Sequence, residues 1–485
     1  MFSGKEVPIH STCVLIAIAF WSLMSAAQAP SPAVGDIRPG EIVKEVQCRR
    51  PPACSYAIYL PSTFTPAKSW PTIFAFDPGG RGDYPVRMYK DVAEKYGYII
   101  IGSNDSQNFG GRGAAIAPMI SDAVERFAVN LHRVYTTGFS GGARVATQVA
   151  LRCSEPCRVV GVVASGAAYP AGTAPSAKDS FLYFLGMGDT DFNFPEAVEM
   201  QIAKEHLGSP FRLRFFPGPH HWSPPEVFEQ AIAWFQLRAM QARDIPPDTA
   251  FIAASFARLL SEYAAGQQEH DLPRQFFALK ALAEDFRGLR DTTEYQKKLR
   301  DLQTSGEFKK FLEKERRQAA EQQSLTRDPS TQLGQFARTD DRENRERLRA
   351  SIASDIVALA QKGQKDKDET QRRVYQRSVN ALFAWTIEEG QKRQAAGKYS
   401  EAAPYYEILL EATPERPWPA LLLAEVRVAL GDKKRALQAI ERAVHTGQID
   451  AAALEQDRDL APLFGDPEFQ RIIGGLKQRA PAKTP

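Results

Sequence analysis

Excess charge of one sign is what this 485-residue chain has least of: 61 Lys and Arg stand against 58 Asp and Glu, a formal net charge of +3. So even a balance gives no field to hold a polyanion, and neither nucleic acid nor an anionic membrane surface is an expected partner. Histidine is scarce, with seven in the whole chain, so imidazole chemistry has few possible seats. Cysteine is scarcer, with five, too few to staple a chain of this length. Long apolar runs are missing too: the run over 13–24 falls short of the roughly 20 residues that span a bilayer.

The composition that is present, 43% hydrophobic and 25% charged, is that of a globular protein, and the length calls for two or three domains. Lys5, the apolar run over 13–24 and the small-x-small site Ala27-Gln-Ala29 before Pro30 together predict a cleaved secretory signal peptide over 1–29. The expectation is an exported protein, periplasmic or secreted, with no stable membrane insertion after cleavage. Cleavage leaves Cys48, Cys54, Cys153 and Cys157, an even set for an oxidising compartment. Both pairs flank Pro-containing stretches, so two local disulfides are expected, with the connectivity open. Zinc is the alternative for these thiols, but the tight two-residue spacing is missing, and no metal is expected.

From about 40 to 240, short β-branched or aromatic runs alternate with amphipathic stretches, the pattern of a largely parallel sheet covered by helices. Strands are expected at 55–60, 72–76, 98–102, 133–137, 159–164, 181–185 and 212–216, and helices at 86–96, 115–131, 143–151, 197–207 and 226–240. Strand signals stop after Asp244-Ile-Pro-Pro, and the rest is helical in composition. Between about 300 and 350 charge rises and large apolar residues thin out, which fits a solvated long helix or a partly disordered connector. Further on, Gly397 and Gly431 lie 34 residues apart, with Ala402 and Ala436 at the same offset after each, and Gly363 and Gly465 fall in the same register. This spacing resembles the tetratricopeptide repeat, in which glycine turns one helix into the next. The expected organisation is 1–29 signal peptide, 30–243 α/β domain, 244–375 charged helical connector, 376–475 repeat-like helix pairs and 476–485 disordered tail.

The chemistry is carried by Gly138-Phe-Ser-Gly-Gly142, a G-x-S-x-G motif between a strand signal at 134–137 and a helix signal from 143. A serine on such a strand-to-helix turn is held out over the sheet end, with small neighbours relieving the crowding. Neutral serine is a poor nucleophile, so a histidine must take its proton and an acid must orient that histidine. His220, in Pro217-Gly-Pro-His-His-Trp222, follows the last strand and is the expected base, with His221 as its competitor. Asp191 is the expected acid; Asp189, equally spaced from a preceding glycine, is the alternative. Oxyanion donors are expected from the Gly141 amide and from Gly79 or Gly80 in Asp77-Pro-Gly-Gly, since Pro78 has no N–H.

With Tyr56-Ala-Ile-Tyr-Leu-Pro61, Phe76-Asp-Pro-Gly-Gly-Arg-Gly82, residues 95–104, the Ser140 motif, Asp191-Phe-Asn193 and Gly218-Pro-His-His-Trp222, the region from about 45 to 240 resembles bacterial α/β-hydrolases of the esterase and polyhydroxyalkanoate-depolymerase-like group. The resemblance implies Ser140, Asp191 and His220 as nucleophile, acid and base in that chain order. It also implies no cofactor and a small-molecule or polymeric ester as substrate. Members often carry His-Gly where this chain has Asp77-Pro78, a departure at the oxyanion loop. Only 51 positions separate Ser140 from Asp191, which leaves no space for a large lid and implies a shallow, accessible site. The expected function is an exported serine hydrolase of the carboxylesterase type, with a possible protein partner on the repeat-like helices. Two other readings stand beside it: a serine peptidase, and a non-catalytic scaffold that binds through those helices.

Overall fold

A computed structural model describes residues 37–50, 53–109, 113–153 and 158–478. The expected signal peptide and Cys157 lie outside the described residues. Eight strands form one sheet: β1 (Ile42–Gln47), β2 (Ser55–Tyr59), β3 (Trp70–Phe76), β4 (Ile99–Ser103), β5 (Val129–Phe139), β6 (Val159–Ser165), β7 (Leu182–Gly188) and β8 (Phe211–Phe216). Between and after them run α1 (Asp83–Tyr96), α2 (Ile116–Arg126), α3 (Gly141–Arg152), α4 (Phe194–Leu207) and α5 (Pro225–Ala242). Spatial order is β1-β2-β4-β3-β5-β6-β7-β8. β2 is antiparallel to both its neighbours, and every other pair is parallel.

Parallel strands covered on both faces are apolar at successive positions rather than alternate ones, and β3 and β4 are buried along their whole length. Phe74 and Phe76 pack on one side with Met119 of α2 and Ala143 and Ala146 of α3, while Ile73 and Ala75 face the other with Val86 and Tyr89 of α1 and Phe235 of α5. The fold is that of an α/β-hydrolase, as the motifs imply.

Two local expectations change. β1 had no signal of its own, because an edge strand reading IVKEVQ buries little. The helix expected over 115–131 ends at Arg126: Ala128 takes φ 40°, turning the chain, and Val129 pairs with Trp70 as the start of β5.

Among the described residues eleven α-helices follow: α6 (Thr249–Gln268), α7 (Leu272–Glu284), α8 (Thr293–Thr304), α9 (Gly306–Phe336), α10 (Arg342–Lys365), α11 (Glu369–Ala395), α12 (Tyr399–Ala412), α13 (Trp418–Ala429), α14 (Lys433–His445), α15 (Ala451–Glu455) and α16 (Pro467–Gln478). Their starts are written locally, since Asp248, Asp271, Ser305, Asp341, Asp368 and Asp432 each accept a backbone N–H of the first turn. The charged stretch is the long helix, not a disordered connector. Between Phe308 and Pro329 its buried residues are Gln318, Ala319, Gln322 and Thr326, a small and polar stretch that large apolar residues do not mark.

Gly397 and Gly431 take φ of 72° and 76°, the left-handed turns that end α11 and α13, and Ala402 and Ala436 are fully buried where the following helices cross. Gly363 instead lies inside α10, and α11 runs unbroken through 375/376. Cys48 and Cys54 form a disulfide across Cα atoms 5.2 Å apart. Cys153 has no disulfide partner among the described residues. Among the described residues no helix is long and apolar enough to cross a membrane.

Candidate active site

Ser140 stands between β5 and α3 with φ 54° and ψ −121°, a conformation that costs a side-chain-bearing residue about 1–3 kcal/mol. The turn is held by the Ser140 N–H donating to Ser165 O at 2.9 Å. It closes only because of its glycines: a Cβ on Gly138 would overlap Gly142 O, and one on Gly142 would overlap Phe76 O. Gly141 is the first residue of α3, so its N–H lies outside the helix ladder, and a Cβ at this position would overlap the side-chain amide of Asn108.

His220 is brought to the same sheet end by the loop after β8. Its Nδ1 lies 2.9 Å from both Asp191 Oδ1 and Oδ2, and its ring lies 4.6 Å from that of Phe139 and 4.3 Å from that of Phe192. Gly166 backs the imidazole closely, where a Cβ would stand 3.0 Å from the ring. Ser140 Oγ makes no hydrogen bond among the described residues. The Asp191 side chain is fully buried and accepts the Asn193 N–H at 2.8 Å, which fixes the carboxylate. Asn193 in turn donates through Nδ2 to Gly166 O at 2.8 Å.

The competing residues take other places. Asp189 points away from His220: its carboxylate accepts the Gly218 N–H at 3.0 Å and so ties the acid loop to the histidine loop. His221 is exposed, with Nδ1 3.0 Å from Trp222 O.

At the loop after β3, Asp77 is completely buried and gathers donors: Trp222 Nε1 at 3.2 Å, Arg81 Nε at 3.0 Å and Gly79 N–H at 2.9 Å. Gly80 N–H is also committed, to Asp77 O at 3.0 Å. Both glycine amides expected to face an oxyanion therefore close the turn in this geometry. In the sequence Asp77 stands out only as a departure at the oxyanion loop; its Asp-Pro-Gly-Gly context, in which an aspartate accepts the amide two residues on, is the signal for its organising part.

The cover over the site is the larger departure. No lid intervenes between β6 and β7, but α9 and α11 pack over the acid loop, with Gln322 Nε2 donating to Phe192 O at 2.6 Å and Arg377 Nε to Asp189 O at 2.8 Å. Glu388 of α11 has its carboxyl pushed up by burial, with the charge of Arg144 among the influences opposing that rise. Helices α9 and α11 therefore cover the acid loop, a contact that the short spacing between Ser140 and Asp191 did not imply.

Several solved structures are similar to this chain at low identity. A fluorophosphonate-binding serine hydrolase of Staphylococcus aureus is 13% identical over 40% of this chain and 98% of its own, with a TM-score of 0.33. Esterase 2 of Thermogutta terrifontis, phosphorylated by paraoxon, is 14% identical over 44% of this chain and 98% of its own, TM-score 0.33. The esterase LipW from Mycobacterium marinum is 15% identical over 42% and 80%, TM-score 0.31. No curated protein sequence matches the chain. Residues 394–456 match the tetratricopeptide-repeat family model, a range that runs from the end of α11 through α15.

Proposed function

We propose that the protein is a serine hydrolase that cleaves carboxylic esters through an acyl-enzyme on Ser140. The observation that carries this reading is the Asp191–His220 pair, with Nδ1 2.9 Å from both carboxylate oxygens and the imidazole 4.6 Å from the ring of Phe139, the residue that leads into the strained turn at Ser140. Asp191 holds the proton on Nδ1, which leaves Nε2 as the base. His220 takes the Ser140 proton as Oγ attacks the ester carbonyl, and returns it to the departing alkoxide, so an alcohol leaves. Water then attacks the acyl-enzyme with the same proton route, and the acid is released.

The Gly141 N–H supplies one oxyanion donor. The Cys48–Cys54 disulfide is compatible with the proposed export, and the tetratricopeptide segment with a protein partner.

The test is hydrolysis of short-chain p-nitrophenyl esters by the wild type and by Ser140→Ala, with folding checked by circular dichroism and Ser140 reactivity by a fluorophosphonate probe. Turnover and labelling by the wild type alone are expected. A folded wild type that neither turns over nor labels overturns the reading in favour of a scaffold.

A further inference from the structure

The acid loop between β7 and α4 divides its backbone groups between two parts of the molecule. Its N–H groups bond to the sheet side: Asp189 to Phe216 O at 2.9 Å, Thr190 to Gly218 O at 3.0 Å and Asp191 to Gly188 O at 3.1 Å. Its carbonyls turn to the helices. Asp189 O accepts from Arg377 Nε at 2.8 Å, Thr190 O from Asn380 Nδ2 at 3.3 Å, and Phe192 O from Gln322 Nε2 at 2.6 Å. The three acceptors flank Asp191 on both sides.

These donors are built into their places. Arg377 and Gln322 are each only 3% exposed, so a bond lost there leaves a buried polar group unpaired. The Arg377 guanidinium lies 3.4 Å from the ring centroid of Phe194, the first residue of α4, and a second nitrogen reaches Gln318 Oε1 at 3.3 Å. The Asn380 amide is oriented by Arg416 Nη2, which donates to its Oδ1 at 3.2 Å and leaves Nδ2 for Thr190. Arg373 adds an ion pair to the Asp189 carboxylate at 3.7 Å.

We infer that Arg377, Asn380 and Gln322 are positioning residues for the reaction proposed above: the helical region holds the Asp191 carboxylate at the angle His220 requires. The inference rests on the Ser140–His220–Asp191 reading. It makes the helices from α9 to α11 part of the active site. None of the three residues touches the reacting atoms; each acts through the loop. A small tilt of the carboxylate misaligns the imidazole, and a displacement near 1 Å in such an array costs about 100-fold.

Arg377→Ala, Asn380→Ala and Gln322→Ala are compared with the wild type and with Ser378→Ala, a buried α11 residue whose hydroxyl bonds to its own helix at Val374 O. Each is assayed for ester turnover, fluorophosphonate labelling, circular dichroism and hydrogen exchange over 186–195. The expected result is a kcat loss of about 10- to 100-fold in the three loop variants with KM within about twofold. Exchange of the loop rises in them, guanidinium ion partly restores Arg377→Ala, and Ser378→Ala behaves as wild type. Folded Asn380→Ala and Gln322→Ala proteins that keep wild-type kcat overturn the positioning role, even where Arg377→Ala does not fold. A wild type that never labels overturns the hydrolase reading, and the positioning role falls with it.

Discussion

His220 Nδ1 is equidistant, at 2.9 Å, from the two carboxylate oxygens of Asp191, a carboxylate with no exposed surface. A buried acid so placed fixes both the tautomer and the plane of the ring. Asp191→Asn keeps the shape but offers an N–H to Nδ1 as readily as an acceptor. Its kcat is expected to fall by about 10⁴ with little change in melting temperature. Asp189→Asn should stay within about tenfold of wild type, because its carboxylate serves Gly218 N–H and not the imidazole. Steady-state kinetics of the two variants checks the assignment.

Ser140 stores backbone strain, with φ at 54°. Glycine tolerates that region, so Ser140→Gly should be more stable than Ser140→Ala by about 1 kcal/mol while both are inactive. Urea denaturation of the pair gives the difference. Gly142→Ala should act in the opposite sense, losing about 1–3 kcal/mol, since its new methyl meets Phe76 O with no flexible side chain to yield.

Arg212 of β8 is buried against Asp285, which follows α7, and joins the sheet edge to the helical region. Arg212→Ala should cost about 3–5 kcal/mol, because the buried Asp285 then loses its ion-pair partner. Replacing both by apolar residues of similar volume should recover most of the loss. Thermal or urea unfolding of the single and double variants separates the two outcomes.

Burial pushes the Glu425 carboxyl up from 4.5 to about 8, with Asp457 and Asp459 adding negative charge nearby and a bond from Gln394 Nε2 at 2.9 Å opposing them. The folded state therefore holds this proton more tightly than the unfolded chain. Its contribution to stability is fully present below about 4.5, declines as pH rises and levels off above about 8. Wild type should lose stability between pH 5 and 8 in urea titrations, and Glu425→Gln should lose less over the same window.

Several features were legible because they are local. The strand, G-x-S-x-G turn and helix at 134–151 depend on steric relief within five residues, and the structure builds that turn from the named glycines. Gly397 and Gly431 could be read as turns because φ near 70° suits glycine, and the aspartates that start α6, α7 and α10 are themselves the caps. Gly363 had the same spacing and no turn, since α10 carries the chain straight through it. Spacing also treated Asp189 and Asp191 alike, and only the fold turned one carboxylate inward to His220 and the other toward Gly218.

By itself the sequence determined the order of strands and helices from β2 to α5, the strained serine turn and the helix starts, all of which follow from steric and hydrogen-bonding preferences a few residues long. Only the tertiary structure decided which loop amides are committed to Asp77 and how the acid loop is covered. Gln322, Arg377 and Asn380 bond to that loop from 130, 188 and 190 positions away. Such bonds leave no periodicity in the chain, because a buried carbonyl needs a donor from whichever segment packs against it.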